Sequence, residues 1–241
     1  MSTATAAILT IGNELVSGDV PNTNAAYIAQ RLAPLGVEAR LVATLPDEID
    51  VIAAFVRREA PLVDHFLVTG GLGGTPDDLT REAIAAAFGV EQREVPELAH
   101  DLRTRFARHP EYAARWANLP AGSRPIRNPL GGAPGFAIEN VYVFPGLPSE
   151  MEAMLAEVED ELRRETPIAS WRRTYATGEA RIVAVLEQMG ELHPQVTVGS
   201  YPTFRNEGPQ TEVVVKSSDR YALDAAARWL ENALRAVLEQ G

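Results

Sequence analysis

From residue 6 to residue 88, short unbroken apolar runs alternate with stretches in which apolar residues recur at helical spacing. Residues 6–11 form one such run, closed by Gly12, and read as a strand buried on both faces of a parallel sheet. In residues 23–35, Ala26, Ile28, Ala29, Leu32 and Leu35 mark one helix face that ends at Gly36. Residues 37–45 predict a second strand, and Asp47 reads as the N-cap of a helix over 48–59 whose stripe is Val51, Ile52, Phe55 and Val56. A third strand over 63–69 and a third helix over 78–88 complete the alternation. Repeated strand–helix units of this length build right-handed βαβ crossovers, so the expected fold is a three-layer α/β/α domain with a mixed, mainly parallel sheet.

The later pattern is less regular. Residues 91–116 are helical in period but interrupted by Pro96 and Pro110, and read as an excursion over the site or at a subunit contact, with Phe106, Tyr112 and Trp116 as core residues. Residues 121–135 are loop-like with a brief extended piece near Ile126, and 136–144 predict a hairpin turning at Glu139 and Asn140. After the turn Pro145–Gly146–Leu147–Pro148, Ser149 and Glu152 have capping-box spacing and open a helix over 150–165. Beyond Pro167 the character changes. A strand over 171–177, a helix over 179–189, strands over 196–201 and 211–215 joined by a polar turn at 202–210, and a helix over 220–239 predict a small α+β unit. Two domains are expected, 1–167 and 168–241.

Candidate chemistry concentrates at the ends of the first and third strands. Residues 68–80 read VTGGLGGTPDDLT: an apolar strand, then Gly70, Gly71, Gly73 and Gly74, then Thr75, Asp77 and Asp78 where a helix is expected to begin. Glycine lets the backbone adopt positive φ and approach a ligand closely, and a helix N-terminus offers unpaired N–H groups that attract phosphate or carboxylate. The same residues would also serve a plain turn with an aspartate cap, but one aspartate suffices for a cap. A second carboxylate beside a phosphate site implies a bridging cation, or a contact with a sugar hydroxyl or ring N–H. Gly12, Asn13 and Glu14 follow the first strand, and in such sheets ligands bind beyond the carboxyl ends of strands, so both turns should face one crevice. Arg81, one turn into the site helix, reads as a solvated helix-face charge, and His65 as structural.

Composition narrows the chemistry. The 241 residues carry a formal charge of -11 and no cysteine. That balance speaks against nucleic-acid and anionic-membrane partners and excludes disulfides, thiol catalysis and cysteine-ligated metal. Only four histidines occur, His65, His100, His109 and His193, without zinc-site spacing. The metal to expect is magnesium or another divalent cation held by carboxylates and ligand phosphates. The N-terminal stretch has neither a basic leader nor an apolar run long enough to span a bilayer, so a cytoplasmic location is expected.

Four segments taken together carry a resemblance: ILTIGNELVSG (8–18), NTNAAYIAQRL (22–32), VTGGLGGTPDDLTREAIAAAFG (68–89) and VFPGLPSEMEAML (143–155). Their order and sequence resemble the N-terminal domain of CinA-type competence/damage-inducible proteins, a member of the molybdopterin-binding MoaB/MogA-like fold. The resemblance implies a pocket for a pterin or nucleotide phosphate at the GGxGxTPDD turn, lined by Gly70, Gly71, Gly73, Gly74 and Thr75. Asp78 matches the functional acid, with Asp77 beside it, and Glu14 matches the acid of a GDE motif. Gly12 and Asn13 precede that acid, and Pro145, Gly146, Pro148 and Ser149 lie at the PGxP turn on the other side. Asn13 replaces a carboxylate common in the family. Asp78 and Glu14 are the implied metal ligands, molybdopterin an implied ligand and a homodimer the implied assembly. Two activities follow: metal-dependent hydrolysis of ADP-ribose or a related nucleotide diphosphate, or molybdopterin binding without hydrolysis. CinA proteins also carry a C-terminal amidase domain that the 241 residues stop short of, so its activity is not expected.

Overall fold

The computed structural model describes residues 4–164, 166–206 and 208–239. They divide into two compact units, Met1–Arg164 and Glu165–Gly241. In chain order the first unit contains β1 (Ala4–Ile11), α1 (Asn13–Ser17), α2 (Thr23–Leu32), β2 (Val37–Leu45), α3 (Ile49–Glu59), β3 (His65–Thr69) and α4 (Thr80–Phe88). It continues with β4 (Gln92–Glu94), α5 (Pro96–Arg105), α6 (Pro110–Ala114), β5 (Asn118–Pro120), β6 (Arg124–Ile126), β7 (Gly135–Ile138), β8 (Val141–Phe144) and α7 (Pro148–Leu162).

Six strands form the main sheet in the order β2-β1-β3-β8-β7-β6. β2, β1, β3 and β8 run parallel, and β7 is antiparallel to both β8 and β6. The unbroken apolar run of β1 has a direct cause: Ala6 and Ile8 face a core built with Ile28 and Leu32 of α2 and Met151, Met154 and Leu155 of α7. Ala7, Leu9 and Ile11 face a second core with Ile52 and Val56 of α3 and Ala83 and Ile84 of α4. Each face is covered, so neither set of alternating positions is polar. The expected three-layer architecture with a mixed, mainly parallel sheet is the observed one.

Several local expectations fail for identifiable reasons. Pro96 and Pro110 sit in the first turns of α5 and α6, where a missing N–H removes no intrahelical bond, so they open helices and do not break one. Pro148 likewise starts α7 before the expected capping box, and no side-chain cap bond forms there. The expected end of that helix at residue 165 lies outside the described residues. Asp47 does not cap α3, whose N-cap is Glu48 without a side-chain bond. Neither Asp77 nor Asp78 caps α4, which begins at Thr80 after Leu79.

The second unit contains β9 (Ala169–Tyr175), α8 (Val183–Leu192), β10 (Thr197–Arg205), β11 (Gly208–Ser217) and α9 (Arg220–Glu239), with sheet order β10-β11-β9. Its core gathers Met189, Val213, Val215, Leu223, Leu230 and Leu234. The expected polar turn over 202–210 is largely strand, since the β10–β11 ladder runs on to the Arg205–Gly208 pair. Residues 201–205 are exposed, so polar side chains are compatible with extended backbone there. Residue 207 of that predicted turn lies outside the described residues.

Candidate active site

The carboxyl ends of β1, β2, β3 and β8 open into a cleft of about 470 Å³, within the size range of small-molecule sites. The turns after β1 and β3 face it together, as expected, and the turn after β8 joins them. The backbone at the end of β3 determines its shape. Gly70 has φ 110°, and a Cβ there would lie 2.1 Å from the Ile11 carbonyl oxygen. Gly71 has φ 62°, with the Thr80 hydroxyl 2.3 Å from the place of a Cβ. Thr80 closes the turn by donating from Oγ1 to Gly70 O at 2.8 Å and from its N–H to Gly71 O at 3.2 Å.

The loop that follows is held from inside. Arg81 is 5% exposed and donates from Nη1 to Leu72 O and from Nη2 to Gly73 O, both at 2.7 Å. The sequence reading of a solvated helix-face charge is therefore wrong. Burial lowers the guanidinium's proton affinity, opposed by Glu82 and Asp78, but from so high a starting value that it stays charged. At the loop's far end Asp78 turns back on Thr75, its Oδ2 accepting the Thr75 N–H at 2.8 Å and the hydroxyl at 2.5 Å. That inward turn is why Asp78 caps no helix.

Of the sequence-predicted residues, Gly12, Glu14, Gly70, Gly71, Gly73, Asp77, Asp78, Pro145, Gly146 and Pro148 line the cleft. Gly74 and Thr75 line a separate cavity behind the loop. Asn13 and Ser149 line neither. Asn13 is occupied with Asp47: its N–H donates to Asp47 Oδ2 at 2.8 Å, and its Oδ1 accepts from the Asp47 N–H at 3.4 Å. The first bond comes from the Asn13 backbone, and its neutral side-chain oxygen takes the second without adding another charge beside the Asp47 carboxylate.

Among the cleft residues that escaped the sequence reading are Asp47, Asn24, Trp116 and Glu150. Asp47 ends the turn after β2, and the rule that ligands bind beyond strand ends would have found it. Its carboxyl is pushed above the usual range, first by burial, with the Asn13 N–H opposing and the charges of Glu14, Asp77 and Asp78 adding. Asn24 lies in the first turn of α2 and donates from Nδ2 to Thr69 Oγ1 at 3.0 Å and Gly146 O at 2.9 Å. Thr69 in turn donates to Pro145 O at 2.7 Å, tying the ends of β3 and β8 together. Trp116 arrives from the α5–α6 excursion, which no local motif ties to the cleft.

Among the described residues, five carboxylates, Glu14, Asp47, Asp77, Asp78 and Glu150, line the cleft, and no Lys, Arg or His does. Among the described residues no three His, Cys, Asp or Glu side chains gather closely enough to hold a metal by themselves. The donor set fits a hard cation bound by one or two carboxylates and completed by ligand phosphates and water, the habit of magnesium.

A doubly covered, mainly parallel sheet with a glycine-rich, acidic cleft at its strand ends defines the class: a three-layer α/β domain whose cleft lies where such sheets bind their ligands. The chain belongs to the family of probable molybdopterin binding domains, whose model matches residues 7–164. Residues 174–239 match the model of the FAD synthase middle domain. The chain is 36% identical over 195 residues to a protein of Archaeoglobus fulgidus, covering 81% of this chain and 84% of that one. It is 36% identical over 256 residues to a CinA-like protein of Frankia casuarinae, covering 98% of this chain but only 59% of that one. A crystal structure of CinA from Thermoplasma acidophilum, reported with unknown function, superposes with TM-score 0.62 at 33% identity, covering 66% of this chain and 99% of that one. No helix among the described residues is long and apolar enough to cross a membrane.

Proposed function

We propose that the protein is a metal-dependent hydrolase of a nucleotide diphosphate such as ADP-ribose. The observation that carries this reading is a cleft that joins phosphate-sized glycine turns to five carboxylates, with no cationic side chain in its wall among the described residues. A diphosphate would be repelled there unless a divalent cation came with it. Asp78 and Glu14 are the proposed ligands of that cation, with Asp77 beside them. When bound, it would neutralise charge on the phosphoryl oxygens and acidify water.

The chain's own groups take the remaining roles. Backbone N–H groups of the Gly70–Gly73 turn hold the diphosphate, and Arg81 keeps that turn in shape from behind. Asp47, whose carboxyl is held above the usual range, accepts a proton from the attacking water. One P–O bond forms to water and the bridging P–O bond breaks, so ADP-ribose yields AMP and ribose 5-phosphate. Release of AMP from ADP-ribose in magnesium should fall at least on the order of 100-fold in Asp78→Asn, a change that keeps an oxygen for Thr75 but removes the charge. Unaltered turnover in that variant, or an inactive wild type across divalent ions, would sink the reading.

The family match supports a second reading, binding of molybdopterin without hydrolysis. Calorimetry with molybdopterin tests it: micromolar affinity together with no phosphate-ester product from any nucleotide would favour binding alone.

A further inference from the structure

A single stretch of chain, residues 73–78, lines both the cleft and the separate cavity of about 370 Å³. Gly73 and Asp77 line the cleft, Gly74, Thr75 and Pro76 line the cavity, and Asp78 lines both. Thr75, Pro76 and Asp77 are exposed. The hydrogen bonds between Thr75 and Asp78 close on one another, so they shape the turn without fastening it to the body of the domain. Arg81 fastens the earlier half, through Leu72 O and Gly73 O. A side chain from α6 reaches the later half. Tyr112 lies against Gly74 so closely that a Cβ built there would be 2.5 Å from its Cζ and 2.7 Å from its hydroxyl oxygen. The φ of Gly74 lies outside the left-handed region, so the absent side chain makes room for the ring and is not demanded by the backbone angle. Tyr112 is no core residue, as its sequence context suggested, but 42% exposed. Its ring is braced edge-to-face by Trp116 at 5.7 Å between centroids, and Trp116 by Phe106 at 5.2 Å. Trp116 is itself set in the apolar cluster of Ala99, Leu102 and Ala113.

We propose that Tyr112 is a positioning residue: its ring, braced by Trp116 and Phe106, pins the loop at Gly74 and thereby fixes where Asp78 presents its carboxylate. This deepens the proposed function, since its consequence rests on Asp78 as a ligand of the cation. Two side chains then divide the work on one loop. Arg81 holds the backbone up to Gly73 from the helix that follows, and Tyr112 holds the next residue from the α5–α6 excursion. Without the second contact, a turn bonded to itself and bordered by the cleft and by a cavity is free to shift as a unit, and Asp78 shifts with it.

Amide hydrogen exchange on the full chain tests the pin without any ligand, read at Thr75 and Asp78, whose N–H groups are both bonded within the turn. Tyr112→Ala should accelerate both by on the order of tenfold or more, while Ile8 and Leu9 of β1 keep their wild-type rates. Tyr112→Phe keeps the ring and should restore wild-type exchange. Gly74→Ala should loosen the turn beside the native tyrosine but add nothing to Tyr112→Ala, because the new Cβ then meets no ring. Equal acceleration in β1 would reduce Tyr112 to a residue of general stability and overturn the proposal. So would unchanged exchange in Tyr112→Ala, or additive effects of the two alanines. Calorimetry of magnesium with inorganic pyrophosphate reads the consequence at Asp78: affinity should fall about threefold or more in Tyr112→Ala and return in Tyr112→Phe. Unchanged affinity beside faster exchange overturns the link from the pin to Asp78. A wild type that binds no magnesium pyrophosphate overturns the cation reading of Asp78, a result distinct from the exchange pattern.

Discussion

Asp47 carries the clearest electrostatic signature of the cleft. Burial and the charges of Glu14, Asp77 and Asp78 raise its pKa in the fold. An acid whose folded value lies above its unfolded value disfavours the native state wherever the unfolded carboxyl is ionised. That penalty is absent below the usual aspartate value of about 3.9 and complete above the raised folded value. Asp47→Asn should therefore raise the melting temperature at pH 7, and the gain should disappear as the pH falls below about 4. Thermal unfolding across that range measures it, and an equal gain at both ends would count against the cause given. The shift was invisible in the sequence, where Asp47 had the spacing of a helix cap. Its first cause is burial, and the three carboxylates that add to it lie 30 or more positions away along the chain, so only folding produces it.

At the scale of elements, the loop between β3 and α4 depends on Arg81. Its two bonds go to backbone carbonyls of residues eight and nine positions earlier, so one helical side chain fixes the conformation of the preceding turn. Arg81→Met would leave Leu72 O and Gly73 O without their donors, and should destabilise the protein by on the order of 3 kcal/mol and weaken ligand binding with it. Arg81→Lys keeps the charge but not the two-pronged geometry and should recover only part of the loss. Chemical denaturation and calorimetry on both variants check this, and a methionine variant of wild-type stability would contradict it. The glycines and aspartates of this loop were legible because their residue types alone limit what the backbone can do. Arg81 was not, because an arginine at a helix start looks the same whether its head reaches water or a buried carbonyl.

At the scale of the whole molecule, the described residues that line the cleft belong to the first unit. A chain ending at Arg164 should accordingly fold and retain the ligand affinity of the full protein within about threefold, a difference of well under 1 kcal/mol. Parallel titrations of the two chains test this, and a loss of binding in the shorter one would give residues 165–241 a part in the site. The second unit has its own apolar core and sheet, which is the physical basis for treating the two as separable.

The order of strands and helices, the double burial of the sheet, and the glycine and aspartate turn all followed from local pattern, because periodicity and backbone freedom are properties of neighbouring residues. Tertiary structure alone decided which polar groups share the cleft. Asp47 moved from a cap to a proton acceptor candidate, Asn13 from a ligand contact to its partner, and Asn24 and Trp116 into the wall, since hydrogen bonds and charges act through space between strand ends that are distant in sequence.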